Sequence, residues 1–324
     1  MTEITEIRAP INSELKEFEK RFKASMKSRI PLLNLITNYL IRHKGKQMRP
    51  MFVFLTAKML GEIGSSRFTA ASLIELLHTA SLVHDDVVDE SYERRGFFSI
   101  KALWKSKVAV LLGDYLLARG LLLAVNEKEY DLLQIVSDAV KEMSEGELYQ
   151  IQKSRKLNLS MDEYFDIVRM KTATLIAACT ACGARSVGSD PQTIEDFKEF
   201  GHSVGMAFQI KDDLLDYKNN GDIGKPSGND LKEKKLTLPL IYALENCTNG
   251  EKKKIIRIIR NHNHNSMRIK EVTDFVKQYG GLEYAGGKMM EFRDRALTFL
   301  EQFPANPSRE SLKKLVDYTV SRKR

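Results

Sequence analysis

Apolar residues recur at helical spacing along nearly the whole chain. Residues 11–30 alternate charges with an apolar stripe, and 51–63 and 67–90 carry the same period, the latter after Ser65-Ser66. The run 100–125, with Leu111-Leu112 and Leu116-Leu117, is strongly apolar and predicts a central buried helix. Residues 130–152 follow. Ser160-Met161-Asp162-Glu163 has capping-box spacing and predicts a helix through about Ala184, and another is predicted over 192–217. Residues 219–235 hold Gly221, Gly224, Pro226 and Gly228 among charges, the composition of a mobile loop beside a site. Pro239 falls in the first turn of the next helix, and three or four more reach the C-terminus. No run sustains strand-like alternation. The predicted fold is all-α, one domain over 1–324.

Composition changes this picture only at the edges. With 324 residues, 43% hydrophobic, the chain can bury a large core, and no stretch rich in Pro, Gly or Ser divides it. No unbroken run reaches the roughly 18 apolar residues of a membrane span. The first thirty residues mix Glu, Lys and Arg at helical spacing, with no apolar secretory segment. Three cysteines are too few for a disulfide framework, so a reduced, cytoplasmic setting is expected. A net charge of +8 asks for an anionic partner. Aromatic residues do not interleave with the basic clusters, and no nucleic-acid-binding signature stands out. Phosphorylated small molecules or a membrane surface are the better match, and nucleic acid is set aside.

The candidate chemistry lies in two acidic pentads, Asp85-Asp86-Val87-Val88-Asp89 and Asp212-Asp213-Leu214-Leu215-Asp216. Each puts carboxylates at i and i+4, on one helix face, where they repel one another. No lysine lies within either pentad, so a cation from outside the chain is expected to supply the missing charge. Magnesium fits, because it uses one or two carboxylates together with substrate phosphates.

Basic clusters surround the pentads in sequence. In Gly45-Lys46-Gln47-Met48-Arg49-Pro50, Pro50 at a helix start leaves the preceding loop to aim Lys46 and Arg49 at an anion. Arg94-Arg95-Gly96 follows the first pentad. Lys171-Thr172 lies within an apolar helix, where a lysine must snorkel or face a polar cavity. Gln209 shares a helix face with Asp212, and Lys225 and Lys235 lie in and just after the glycine-bearing loop. Cations, paired carboxylates and apolar helices together suit an amphiphile with a diphosphate head and a hydrocarbon tail.

These motifs resemble the trans-isoprenyl diphosphate synthase (polyprenyl synthetase) family over essentially the whole chain, in particular its long-chain octaprenyl and heptaprenyl diphosphate synthases. The family's first aspartate-rich motif and its Arg-Arg-Gly match Asp85 to Gly96. Its second motif, preceded by Gln, matches Gln209 to Asp216, its GKxxRP matches Gly45 to Pro50, and its Lys-Thr matches Lys171-Thr172. Lys44 departs from the pattern, since many members have a second glycine there. The resemblance implies a helical bundle around a deep central cavity (the isoprenoid synthase fold), usually in a homodimer. It implies that Asp85, Asp89 and Asp212 coordinate three magnesium ions, with Asp86, Asp213 and Asp216 in support. Arg94, Lys171 and Lys235, with Thr172, Gln209 and Lys225 nearby, would hold an allylic diphosphate, and Lys46, Arg49, His78 and Arg95 isopentenyl diphosphate. Short-chain members carry a bulky aromatic just before the first pentad, where this chain has Ala80 and Ser81. A long all-trans product for a quinone side chain, built on a farnesyl primer, follows. At one isoprene unit per helical turn of roughly 5 Å, about seven or eight units (roughly C35–C40) are expected. A shorter-chain farnesyl or geranylgeranyl synthase and a non-catalytic subunit of a heteromeric synthase are the alternatives; intact pentads speak against the second.

Other features read more plainly. Cys179 and Cys182 have zinc-ligand spacing but no completing pair, and read as core residues. His262 and His264 read as solvated loop residues, and His84 falls off the Asp85/Asp89 face. Lys252-Lys253-Lys254 reads as a solvated helix end, a peripheral membrane contact for product release being the minor reading. The loop 219–235 and Arg322-Lys323-Arg324 are candidates for closing the site over substrate.

Overall fold

In the computed structural model, residues 3–43, 45–61, 64–94, 96–217 and 228–322 are described. The elements are, in order, α1 (Glu3–Arg8), α2 (Asn12–Ser25), α3 (Pro31–Arg42), α4 (Met48–Leu60), α5 (Ser66–Val88), β1 (Glu93–Arg94), β2 (Phe97–Phe98), α6 (Ile100–Asn126), α7 (Tyr130–Lys156), α8 (Met161–Val168), a π-helical turn (Arg169–Ala173), α9 (Thr174–Arg185), α10 (Pro191–Asp216), α11 (Asn229–Lys232), α12 (Leu238–Glu245), α13 (Asn249–Asn261), α14 (Ser266–Gln278), α15 (Gly281–Glu301) and α16 (Pro307–Ser321). The fold is all-α. Its one departure among the described residues is a two-residue antiparallel ribbon pairing Glu93 with Phe98 and Arg94 with Phe97.

Two compact units are distinguished. The first comprises Met1–Val140, Ala178–Lys198 and Ala305–Leu312, the second Lys141–Ala177, Glu199–Pro304 and Lys313–Arg324. In the first, α5 and α6 pack through a shared core of Leu76, Ala80, Val83, Ala109, Leu112 and Leu116. Each fully buried aliphatic side chain contributes about 1.5–3 kcal/mol before chain entropy is counted. Glycines set the close approach: a Cβ at Gly113 would collide with the His84 ring, and one at Gly120 would sit 3.2 Å from Leu77. The rest of α6 departs from the predicted central buried helix. Val110, Leu117, Leu121 and Val125 form an exposed apolar stripe, and Lys105, at φ 70°, breaks the helix near its start.

In the second unit α12 is deeply buried. Leu238, Pro239, Leu240 and Ile241 are all buried, and Gly281 of α15 lets the Pro239 carbonyl come close. Both Ser160/Glu163 and Thr248/Glu251 form capping boxes. The helix predicted from Ser160 to about Ala184 is interrupted by the π turn. Gly146 of α7 abuts the Met170–Lys171 backbone and Gly205 of α10 abuts Ala173, contacts that side chains would block.

Two helices, Ile100–Asn126 and Met161–Arg185, are long and apolar enough to cross a membrane by length and composition. Unbroken apolar runs missed them because single polar residues punctuate both. In the second, 72% of its most apolar stretch is buried inside the protein, as in a core helix.

Candidate active site

The first pentad closes α5. Asp85 is exposed, Asp86 is buried at 4% exposure, and Asp89 caps the helix, its N–H donating to the Asp85 carbonyl at 2.8 Å. The chain then turns sharply: Ser91 N–H donates to the Asp86 carbonyl at 3.0 Å, and Ser99 Oγ donates to the Ser91 carbonyl at 2.7 Å. Gly96, at φ 79°, makes the ribbon turn. His84 does lie off the Asp85 face, its Nε2 near the Val110 carbonyl at 3.2 Å and Asp114 at 3.5 Å.

Lys46 and Arg49 are placed differently from each other. α4 begins at Met48, so Arg49 lies within its first turn rather than in the preceding loop, and it forks onto Glu75 of α5 at 3.2 and 3.3 Å. Lys46 is exposed beside Gln47, whose φ of 54° is left-handed. Arg8 Nη2 donates to the Lys46 carbonyl at 2.7 Å and steadies that turn. His78 and Ser81 are half-buried on α5, while Ala80 is 3% exposed inside the α5–α6 core. Lys44, Arg95, Lys225, most of the loop 219–235, Lys323 and Arg324, with the side chain of Arg94, lie outside the described residues.

The second unit draws its candidates together. Lys171 projects from the π turn, Nζ 2.5 Å from Glu147 and 3.3 Å from Gln150 Oε1. Such turns concentrate at functional sites. Thr172 Oγ1 donates to Gln209 Oε1 at 3.0 Å, and Gln209 Nε2 donates to Asp213 Oδ1 at 2.9 Å. Gln209 thus bonds the aspartate four residues on, not Asp212. Asp213, fully buried, also accepts from the Tyr164 hydroxyl at 2.7 Å. Lys235 Nζ is 3.1 Å from Asp230 and 3.9 Å from Asp213. Asp216 accepts the N–H groups of Asn229 and Asp230, at 3.0 and 3.2 Å, and so anchors the start of α11. Lys153, Tyr164, Lys171, Thr172, Gln209, Asp213 and Lys235 line one narrow recess, with Leu159, Ile167, Val168 and Leu236 as its apolar wall.

The expectation that charge must come wholly from outside the chain is corrected here. Arg322, the residue after α16, pairs with Asp212 at 2.5 Å, and Lys235 approaches Asp213. That compensation is incomplete. Burial pushes Asp212 above the ordinary aspartate range against the pull of Arg322, and Asp213 likewise against Lys235. Burial and the Asp230 charge raise Asp216. Burial pulls the Lys235 ammonium down, but Asp213 and Asp230 outweigh it and hold it above the ordinary lysine range. Three desolvated carboxylates in one turn with a charge deficit fit a further cation. Among the described residues no three His, Cys, Asp or Glu side chains form a preformed metal cage. Magnesium completed by substrate phosphates needs none.

Glu75, Glu147, Gln150, Lys153, Tyr164 and Asp230 were not singled out from sequence. Lys171 in an apolar helix signals that some partner exists, but nothing local says it is Glu147. Cys179 and Cys182 are buried and form no disulfide, their thiols pushed up by burial. His262 and His264 are exposed, whereas Asn263 between them is buried and donates to the Lys232 carbonyl at 2.5 Å.

The family described as Polyprenyl synthetase matches residues 30–276. The octaprenyl diphosphate synthase of Escherichia coli (strain K12) is 34% identical over 92% of this chain and 93% of its own. The geranyl-diphosphate-specific all-trans-nonaprenyl-diphosphate synthase of Rhodobacter capsulatus is 36% identical over 98% of this chain and 97% of its own. The polyprenyl synthase of Caulobacter crescentus CB15, crystallised with calcium and isoprenyl diphosphate, superimposes with a TM-score of 0.90 at 32% identity, covering 99% of this chain and 98% of that one. The chain belongs to the polyprenyl synthetase family and is a prenyltransferase.

Proposed function

We propose that this prenyltransferase is a long-chain all-trans polyprenyl diphosphate synthase, condensing isopentenyl diphosphate repeatedly onto an allylic primer, farnesyl diphosphate. The observation that carries the reading is the recess where Lys171 and Lys235 stand over an apolar wall. A diphosphate takes the ammonium groups, and the first isoprene units take Ile167, Val168 and Leu236. The long-chain names of the relatives support the chain length, and the calcium-bound relative supports a divalent cation.

Asp85, Asp89 and Asp212 are assigned to magnesium, three ions in all, with Asp86, Asp213 and Asp216 in support. Magnesium, when bound, screens the two diphosphates and stabilises the pyrophosphate that leaves. The chain's own groups do the rest. Lys171, Lys235, Arg94 and Lys225 hold the allylic head group, while Lys46, Arg49, His78 and Arg95 hold isopentenyl diphosphate. The isopentenyl double bond attacks the allylic carbon as pyrophosphate departs, and the proton lost goes to that pyrophosphate. Apolar walls keep out water, which would quench the cation.

The exposed stripe Val110, Leu117, Leu121 and Val125 on α6 is assigned to the face of a homodimer, since an apolar helix face of this length gains by being covered. Incubation with farnesyl diphosphate, isopentenyl diphosphate and magnesium, followed by product sizing, tests the function. About seven or eight isoprene units, reckoned at roughly one unit per helical turn, support it. No consumption of isopentenyl diphosphate overturns the activity, and release of geranylgeranyl diphosphate overturns the long-chain assignment.

A further inference from the structure

Four side chains from three segments form an unbroken hydrogen-bonded line through the second unit. It starts at Tyr164 of α8, 3% exposed, whose hydroxyl donates to Asp213 Oδ2 at 2.7 Å. The other carboxylate oxygen takes Gln209 Nε2 at 2.9 Å. A carboxylate only accepts, so the Gln209 amide has a single usable orientation: its nitrogen faces Asp213 and its oxygen faces away. That oxygen receives the Thr172 hydroxyl at 3.0 Å. Thr172 sits in the π turn, next to Lys171.

The line has a direction. Thr172 can donate to Gln209 only while Asp213 holds the amide, and Asp213 is fixed by Tyr164. A buried tyrosine hydroxyl has a desolvation cost that phenylalanine would avoid, so packing alone does not call for it. The bond it makes to an ionised acceptor is of the stronger kind. Tyr164 also lines the recess that Lys171 and Lys235 share, and Lys235 stands 3.9 Å from the same Asp213 oxygen that Gln209 uses. The same hydroxyl thus touches the carboxylate that Lys235 approaches and begins the line that ends beside Lys171.

The geometry points to Tyr164 as a positioning residue for the allylic diphosphate: through Asp213 and Gln209 it sets the π turn that presents Lys171, and through Asp213 alone it sets Lys235. This rests on the reading that the two lysines take the allylic head group.

Tyr164→Phe, Thr172→Val and the double variant test it, in steady-state assays with farnesyl diphosphate, isopentenyl diphosphate and magnesium, alongside melting curves. Loss of a bond to a charged group corresponds to a rise of about tenfold or more in the KM for farnesyl diphosphate. The KM for isopentenyl diphosphate stays within about twofold. Thr172→Val, at the far end of the line, gives the same split, and the double variant is no worse than the worse single one, because both cut the same chain. An unchanged farnesyl KM in Tyr164→Phe overturns the inference. So does a fall in melting temperature with both KM values moving together, the mark of a merely structural role, or full additivity in the double variant. Should Tyr164→Phe not fold, a wild-type farnesyl KM in Thr172→Val overturns it equally. Lys171→Ala in the same assay separates the two levels. If it leaves the farnesyl KM unchanged, the head-group assignment itself fails. If it raises that KM while Tyr164→Phe does not, only the role of Tyr164 falls.

Discussion

Arg322 and Asp212 stand 2.5 Å apart, Nη2 to Oδ1, with the guanidinium laid over the Phe208 ring at 3.9 Å. A cation near the end of the chain thus sits on the carboxylate assigned to magnesium. The two cations compete for one carboxylate, so removing the arginine should favour the metal. Arg322→Met is expected to reach half-maximal activity at a magnesium concentration several-fold lower, as a modest ion pair of about 1 kcal/mol implies. A magnesium titration of initial rate checks this; an unchanged midpoint would show that the pair does not oppose metal binding.

Asp85→Ala, Asp89→Ala and Asp212→Ala are each expected to cut turnover by about 100-fold or more, the scale of losing one contact to charge developing on a leaving group. The loss belongs in kcat, since those contacts strengthen as pyrophosphate departs. Near-wild-type kcat for Asp85→Ala at saturating magnesium would remove that residue from the metal assignment.

Lys46→Ala should weaken isopentenyl diphosphate and spare the primer, while Lys171→Ala does the reverse. Arg49→Ala is a less clean probe, because it also strands Glu75, both of whose carboxylate oxygens the guanidinium holds. It is expected to lower the melting temperature as well as isopentenyl diphosphate affinity. Separate titrations of each substrate decide, and equal effects on both substrates would refute two distinct head-group sites.

What the sequence could reveal followed from range. The Ser160/Glu163 capping box and Pro239 in the first turn of α12 are local, and both hold. Asn34 and Thr37 interrupt the apolar pattern of α3 and hid that helix; in the structure Asn34 bonds Ser28 and Thr37 bonds the Leu33 carbonyl. The π turn lies against Gly146 and Gly205, close approaches that no periodicity encodes. Gln209 lies three residues before Asp212 and four before Asp213, and both spacings share a face, so only packing could choose between them. Tyr164 meets Asp213 across 49 residues of sequence and left no signal at all.

Acid stability offers an independent check on the α8 start. The Lys153 side chain, then the Ser160 backbone N–H, hold Glu163 at about 2 against an ordinary 4.5. A depressed carboxylate contributes stability above its ordinary value and loses it as pH falls from there through about 2. The wild type should therefore lose melting temperature between pH 4.5 and about 2 more steeply than Glu163→Gln, which lacks the titrating group. Parallel curves through that window would mean the pair contributes nothing to α8.

Product length rests on two neighbouring residues that the fold treats differently. Ser81 lies one turn before Asp85 on the same helix face and is half-buried. Ala80 points into the α5–α6 core with Leu112 and Leu116 and is 3% exposed. A phenylalanine at Ser81 can extend along the Asp85 face and block a growing tail. At one isoprene unit per turn of roughly 5 Å, a plug there should shorten the product to about three or four units. The first condensation should survive, because the metal-binding carboxylates are untouched. A phenylalanine at Ala80 must instead overfill a packed core, at a cost of about 1–3 kcal/mol, and its first effect should be a lower melting temperature. Product sizing and melting curves on both variants separate the outcomes. If Ser81→Phe still releases the wild-type product at a wild-type melting temperature, the tail does not follow this face of α5, and length must be set elsewhere.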